Sequence, residues 1–179
     1  MSRKIVFITG GARSGKSSFA LKEASLVPGR KVFIATAEAI DLEMKERIER
    51  HRRDRGREWE TYEEPLHLSE AIEETSERCD VLVLDCLTIW LSNIMWAGSN
   101  VQREIEDLVC TIKRFSDNSP ATFFIISNEV GMGIVPESEM VRKFRDFAGT
   151  LNQRVAEVSG EVYWTLAGIP VKIKGEGEP

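Results

Sequence analysis

The chain has 179 residues, of which 42% are hydrophobic and 30% charged, and a formal net charge of −5 at pH 7. This composition excludes a disordered polymer, and every apolar run falls short of the ~18–20 residues that cross a bilayer. A negative balance argues against a dedicated nucleic-acid binder, and the length suits a single domain, 1–179, with one full core.

The chain opens on the apolar run Ile5-Val6-Phe7-Ile8 with no signal-peptide pattern before it, so a cytoplasmic protein is expected. A strand is predicted over 4–9. Directly after it stand Gly10, Gly11, Ala12, Arg13, Ser14, Gly15, Lys16 and Ser17, a G-x-x-x-x-G-K-[ST] loop leading into a helix predicted over 17–26. Such a loop joins a buried strand to a helix start because its backbone N–H groups and the helix N-terminus together wrap a polyanion. The glycines permit geometries that a Cβ would block, Lys16 reaches the outer phosphates, and the Ser17 hydroxyl is a candidate Mg²⁺ ligand.

Further strands are predicted over 31–36, 81–85, 121–127 and 161–166, separated by segments long enough for helices. The alternation implies an α/β fold of the P-loop NTPase-like kind, with a mainly parallel central sheet flanked by helices. Ligands of such folds gather at the carboxyl ends of the strands. There the chain places Ala35-Thr36-Ala37, then Asp85 at the end of Val81-Leu82-Val83-Leu84, then Asn128-Glu129 followed by Gly131 and Gly133. Asp85 is a candidate metal-holding carboxylate, or else a helix cap. The 127–133 segment reads either as a site loop or as a structural turn.

Between the second and third predicted strands, residues 41–54 have helical spacing, and Ile40, Met44, Ile48 and His51 fall on one stripe. Arg50, Arg52, Arg53, Arg55 and Arg57 crowd around His51. This is either a solvated charge run or an anion site. In the second case the cations favour a neutral imidazole, which could attack an α-phosphorus. His67, the other histidine, lies in Pro65-Leu66-His67-Leu68 without such a cluster. The segment 87–97 is more apolar than one helix face requires and reads as core, a subunit contact or the wall of a bulky ligand site. Cys79, Cys86 and Cys110 are too few and too irregularly spaced for a metal knuckle or a disulfide framework, and are expected as buried or half-buried thiols.

Taken together, Thr9 to Ser17, Ile34-Ala35-Thr36-Ala37, Arg47-Ile48 leading to His51-Arg52, Trp59 with Thr61, Glu63-Glu64-Pro65, Asn128 to Pro136 and Ala167-Gly168-Ile169-Pro170 closely resemble the bifunctional adenosylcobinamide kinase/adenosylcobinamide-phosphate guanylyltransferase family of cobalamin biosynthesis. The resemblance implies phosphorylation of adenosylcobinamide by ATP or GTP, then transfer of GMP from GTP to the phosphate, with Mg²⁺ and through a guanylylated histidine that maps onto His51. It implies nucleotide contacts from Gly10 through Ser17, from Ala35, Thr36 and Ala37, from Arg52, Arg53, Asp54 and Arg55, and from Glu63 and Asp85. Lys16 and His51 are its catalytic residues, Ser17 and Asp85 its metal ligands, and a homotrimer its assembly. Gly56 and Glu60 depart from the family pattern without removing a catalytic group. One nucleotide site serving both reactions implies that the His51 segment moves. The alternatives are another P-loop small-molecule kinase without nucleotidyl transfer and a non-catalytic nucleotide-binding switch.

Overall fold

The structure, a computed structural model, describes residues 5–38, 42, 46, 49, 53, 55–56 and 58–175. In chain order these form β1 (Ile5–Gly10), α1 (Lys16–Leu26), β2 (Lys31–Ala35), β3 (Trp59–Glu63), α2 (Leu68–Ser76), β4 (Val81–Asp85), α3 (Leu87–Trp96), α4 (Val101–Asn118), β5 (Thr122–Ile126), α5 (Glu139–Val158), β6 (Glu161–Leu166) and β7 (Ile169–Lys174). The seven strands make one sheet in the order β3-β2-β4-β5-β1-β6-β7. All neighbours run parallel except β6 and β7, which form an antiparallel hairpin. Among the described residues no helix is long and apolar enough to cross a membrane.

The near-continuous apolar strands are buried because both sheet faces are covered. Alternate residues feed two layers. Ile5, Phe7, Ile34, Leu82, Leu84, Phe123 and Ile125 pack with side chains of α2, α3, α4 and α5. Val6, Ile8, Phe33, Val83, Phe124 and Ile126 face the other way, toward Ala20 and Ala24 of α1. Those two alanines are fully buried, and their small side chains let α1 lie close on the strand that feeds it. Helix α4 shows the amphipathic spacing plainly, with Val101, Ile105, Leu108, Ile112 and Phe115 inward. Its start is capped by Asn100, whose side chain accepts from Arg103 N.

The five predicted strands are present to within about a residue at each end, while β3 and β7 are additional. Both are edge strands that carry polar residues such as Glu60, Thr61, Glu63, Lys172 and Lys174, and β7 contains Pro170, a residue that sheets admit mainly at their edges. The 87–97 segment is mainly core: Leu87, Trp90, Leu91 and Ile94 are buried, with Trp90 Nε1 donating to Leu66 O at 2.8 Å, whereas Trp96 is 76% exposed. Cys79 and Cys86 are buried as expected, and loss of water, seconded by the neighbouring carboxylates of Asp80 and Asp85, pushes their thiols up to about 11 and about 12. Cys110 departs from expectation. It is exposed, because it lies on the solvent face of α4, opposite Leu108 and Ile112.

Candidate nucleotide-binding site

Gly10 ends β1 with φ +149°, and Gly15 caps α1 with φ +96°. Between them Ser14 N donates to Gly11 O at 3.3 Å, closing the loop on itself. Gly15 offers no side-chain acceptor to the first turn of α1. The first N–H groups of the helix can therefore face an anion, with the helix dipole favouring negative charge there. Lys16, only 7% exposed, lays its ammonium across the loop, donating to Gly11 O at 2.6 Å and to Ser14 Oγ at 3.4 Å. Gly11, Ala12 and Arg13 are exposed and Ser17 is half-buried.

The loop is held from behind by the β6–β7 hairpin, a support that sequence motifs did not indicate. Thr165 Oγ1 donates to Thr9 O at 3.2 Å, which leaves Ser14 Oγ to donate to Thr165 Oγ1 at 2.7 Å. At the hairpin turn Gly168 N donates to Ser14 O at 3.0 Å, and a Cβ on Gly15 would stand 3.3 Å from Gly168 Cα. The signal was present only as Thr165 preceding the Ala167-Gly168 turn, both of which take positive φ.

Strand register gathers the other predicted residues into one row. Glu63 pairs with Ala35, Ala35 with Asp85, Asp85 with Ile126, and Ile126 with Ile8 of the loop strand. At ~4.8 Å per strand the row spans roughly 19 Å from Glu63 to Ile8. Asp85 is half-buried at its strand tip, two strands from the loop. A carboxylate there and the Ser17 hydroxyl are hard oxygen donors of the kind Mg²⁺ takes together with substrate phosphates. That fits a shared protein–nucleotide site, and among the described residues no cluster of three His, Cys, Asp or Glu side chains forms a cage of its own.

Thr36 is fully buried and its hydroxyl is used within the protein, donating to Cys86 O at 2.8 Å while accepting from Cys86 N at 2.9 Å. Asn93 Nδ2 adds bonds to Thr36 O at 2.9 Å and Pro65 O at 3.1 Å, tying the tips of β2, β3 and β4 together through α3. Thr36 N also donates to Asp85 O at 3.2 Å, so the polar groups of Thr36 are all engaged within the protein, between the half-buried Ala35 and Ala37. Replacing Thr36 by Val strands the buried Cys86 N–H, while Cys86 O keeps its bond from Trp90 N, and is expected to cost about 1–3 kcal/mol, measured as a lower denaturant midpoint at unchanged slope.

Arg55 is buried rather than presented to solvent. Its guanidinium lies 3.8 Å from the centroid of the Phe33 ring and donates to Thr61 Oγ1 at 3.3 Å, beside the edge-on Phe33–Trp59 pair. Arg53 is exposed, as is Glu63. His51, Arg52 and Asp54 lie outside the described residues, as do Ile40, Met44 and Ile48 of the expected stripe. His67 is exposed at the start of α2, its backbone N–H bonded to Glu64 Oε1 at 2.8 Å.

Two kinds of comparison bear on this arrangement. In fold, the chain is similar to a solved ATPase domain, with a TM-score of 0.54 at 11% identity, covering 99% of this chain and 79% of that one. In sequence, it is 39% identical to the bifunctional adenosylcobalamin biosynthesis protein CobU of Escherichia coli (strain K12), over 95% of this chain and 99% of the relative. It is 40% identical to the bifunctional adenosylcobalamin biosynthesis protein CobP of Pseudomonas aeruginosa, over 94% of this chain and 96% of the relative. The family model described as cobinamide kinase / cobinamide phosphate guanyltransferase matches residues 6–173, and the chain belongs to that family.

Proposed function

We propose that this protein phosphorylates adenosylcobinamide and then joins GMP to the new phosphate, both reactions drawing on the polyphosphate site built by Gly10 to Ser17. The observation that carries the reading is the loop itself: a helix N-terminus without a side-chain cap, a lysine laid across it, and a hairpin clamping it from behind. Phosphoryl transfer asks a protein chiefly to place the reactants and neutralise growing charge. The loop amides hold the β- and γ-phosphates, and the Lys16 ammonium exchanges the Gly11 carbonyl for phosphate oxygens. Ser17 and Asp85 would hold Mg²⁺, which supplies further charge neutralisation when bound.

In the second reaction the His51 imidazole attacks the α-phosphorus of GTP, and the bond to the leaving pyrophosphate breaks. A phosphate oxygen of adenosylcobinamide phosphate then attacks the same phosphorus and releases the histidine, giving adenosylcobinamide-GDP. Arg52, Arg53 and Asp54 belong with this step, and Arg55 acts by anchoring their segment against Phe33. The protein works in the cytoplasm.

The assembly proposed is a homotrimer, supported by the family resemblance and by the edge strand β7, whose Ile169, Val171 and Ile173 are exposed. Light scattering is expected to return three times the mass of the chain, and the mass of a single chain would contradict it.

Supplying adenosylcobinamide with γ-labelled and, separately, α-labelled GTP tests the function. The γ-label is expected in adenosylcobinamide phosphate and the α-label in the final product, with release of pyrophosphate. Transfer of the γ-label alone would make the protein a simple kinase and overturn the reading.

A further inference from the structure

We infer that Glu129 is the general base of the kinase reaction, taking the proton from the acceptor hydroxyl as it attacks the γ-phosphorus; this rests on the functional reading above and names a residue it left open. In the sheet, β5 lies between β4, which ends in Asp85, and β1, which ends in the phosphate loop. The residues just beyond β5 therefore emerge between the proposed metal ligand and the polyphosphate grip, the place where a transferred phosphoryl group must sit.

The segment is fastened there on three sides. Thr88 Oγ1 of α3 lies 3.1 Å from Ser127 Oγ and accepts from Asn128 N at 2.7 Å. Asn152 of α5 donates to Asn128 O at 3.1 Å. Glu129 N itself donates to Gly10 O at 3.0 Å, so the backbone of the residue is bonded to the first member of the loop.

Its carboxylate is also positioned. Oε1 accepts from Gly131 N at 2.6 Å, and a Cβ at residue 131 would stand 2.9 Å from that oxygen, so this approach depends on glycine. Oε2 is left to act as the proton acceptor. The other carboxylates at the strand tips are worse placed. Asp85 is assigned to the metal, Glu38 follows β2, three strand positions from β1, and Glu63 closes β3 with Glu64 after it, four strand positions from β1 and roughly 19 Å away. In the step itself the hydroxyl oxygen bonds to the γ-phosphorus, and the bond from that phosphorus to the nucleoside diphosphate oxygen breaks. The hydroxyl proton passes to Oε2, which later yields it to solvent.

A turn clasp and a base make different demands on this side chain, and Glu129→Gln separates them: the amide oxygen still accepts from Gly131 N, but the side chain no longer takes a proton. Kinase turnover on adenosylcobinamide is expected to fall about 100-fold or more, with KM for nucleotide and acceptor within about threefold of the parent. Guanylyl transfer to preformed adenosylcobinamide phosphate, which starts from an ionised acceptor, is expected to stay within about threefold, and Glu129→Asp to recover part of the lost turnover. Near-normal kinase turnover in Glu129→Gln would overturn the assignment. So would loss of both half-reactions together with a raised nucleotide KM, the signature of a structural turn. A parent protein with no kinase activity at all, though folded and guanylyl-transferring, would overturn both this assignment and the function on which it rests.

Discussion

Lys16→Ala is expected to lower kinase kcat/KM by about 10³-fold, roughly 4 kcal/mol of transition-state stabilisation, while leaving the fold intact. The ammonium is the cation tied directly to the loop, within reach of both Gly11 O and Ser14 Oγ, and it acts in a nearly closed environment where charge is poorly screened. The side chain contributes to neither hydrophobic cluster, and alanine suits the first turn of α1. The thermal midpoint should therefore move little while turnover collapses. Steady-state kinetics paired with a melting curve checks both halves, and near-normal turnover would remove the lysine from the mechanism.

Gly10→Ala is expected to damage the site by a different route. At φ +149° its added methyl would collide with the Thr165 carbonyl oxygen, and would stand 2.6 Å from Thr165 Oγ1 and 2.9 Å from Ser14 Oγ. These atoms form the clamp between the hairpin and the loop, so relieving the clash means opening the clamp. A loss of about 2–4 kcal/mol of stability is expected, together with at least about tenfold weaker nucleotide binding. Gly11→Ala is the control, since a Cβ there meets nothing within 4 Å. Its unfolding midpoint is expected to match the parent's. Equal destabilisation of the two variants in denaturant titrations would refute the clamp.

The contrast between those glycines shows what a sequence pattern conveys. The motif fixes Gly10 and leaves position 11 open, yet in sequence the two glycines read alike, as loop positions that a Cβ would disturb. The difference arises from Thr165, far along the chain at the β6–β7 hairpin, and no local pattern reports such a contact. The buried strands were legible because two covered faces demand continuous apolar runs, as in Val81 to Leu84. The edge strands β3 and β7 were not, since one open side permits residues such as Glu60 and Pro170. The order of the strands was likewise hidden. It is what turns Asn128-Glu129, read from sequence as either a site loop or a turn, into neighbours of the phosphate loop. Arg55 shows what burial adds: it belongs to a run of arginines that reads as a solvated charge run or an anion site, and the structure places its guanidinium over the Phe33 ring and against Thr61. Thr36 similarly marks a strand tip where ligands gather, but its hydroxyl fastens that tip to the next one.

The covalent chemistry is tested most directly by trapping the enzyme with labelled GTP in the absence of corrinoid and mapping the label by peptide sequencing. Label from the α-phosphate is expected on the peptide containing His51, stable in alkali and lost in acid as a phosphoramidate should be, with none from the γ-phosphate. It should vanish in His51→Ala and persist in His67→Ala. A folded protein that transfers GMP with no trapped label would contradict the guanylyl-histidine route, and label that survives His51→Ala would contradict His51 as its nucleophile.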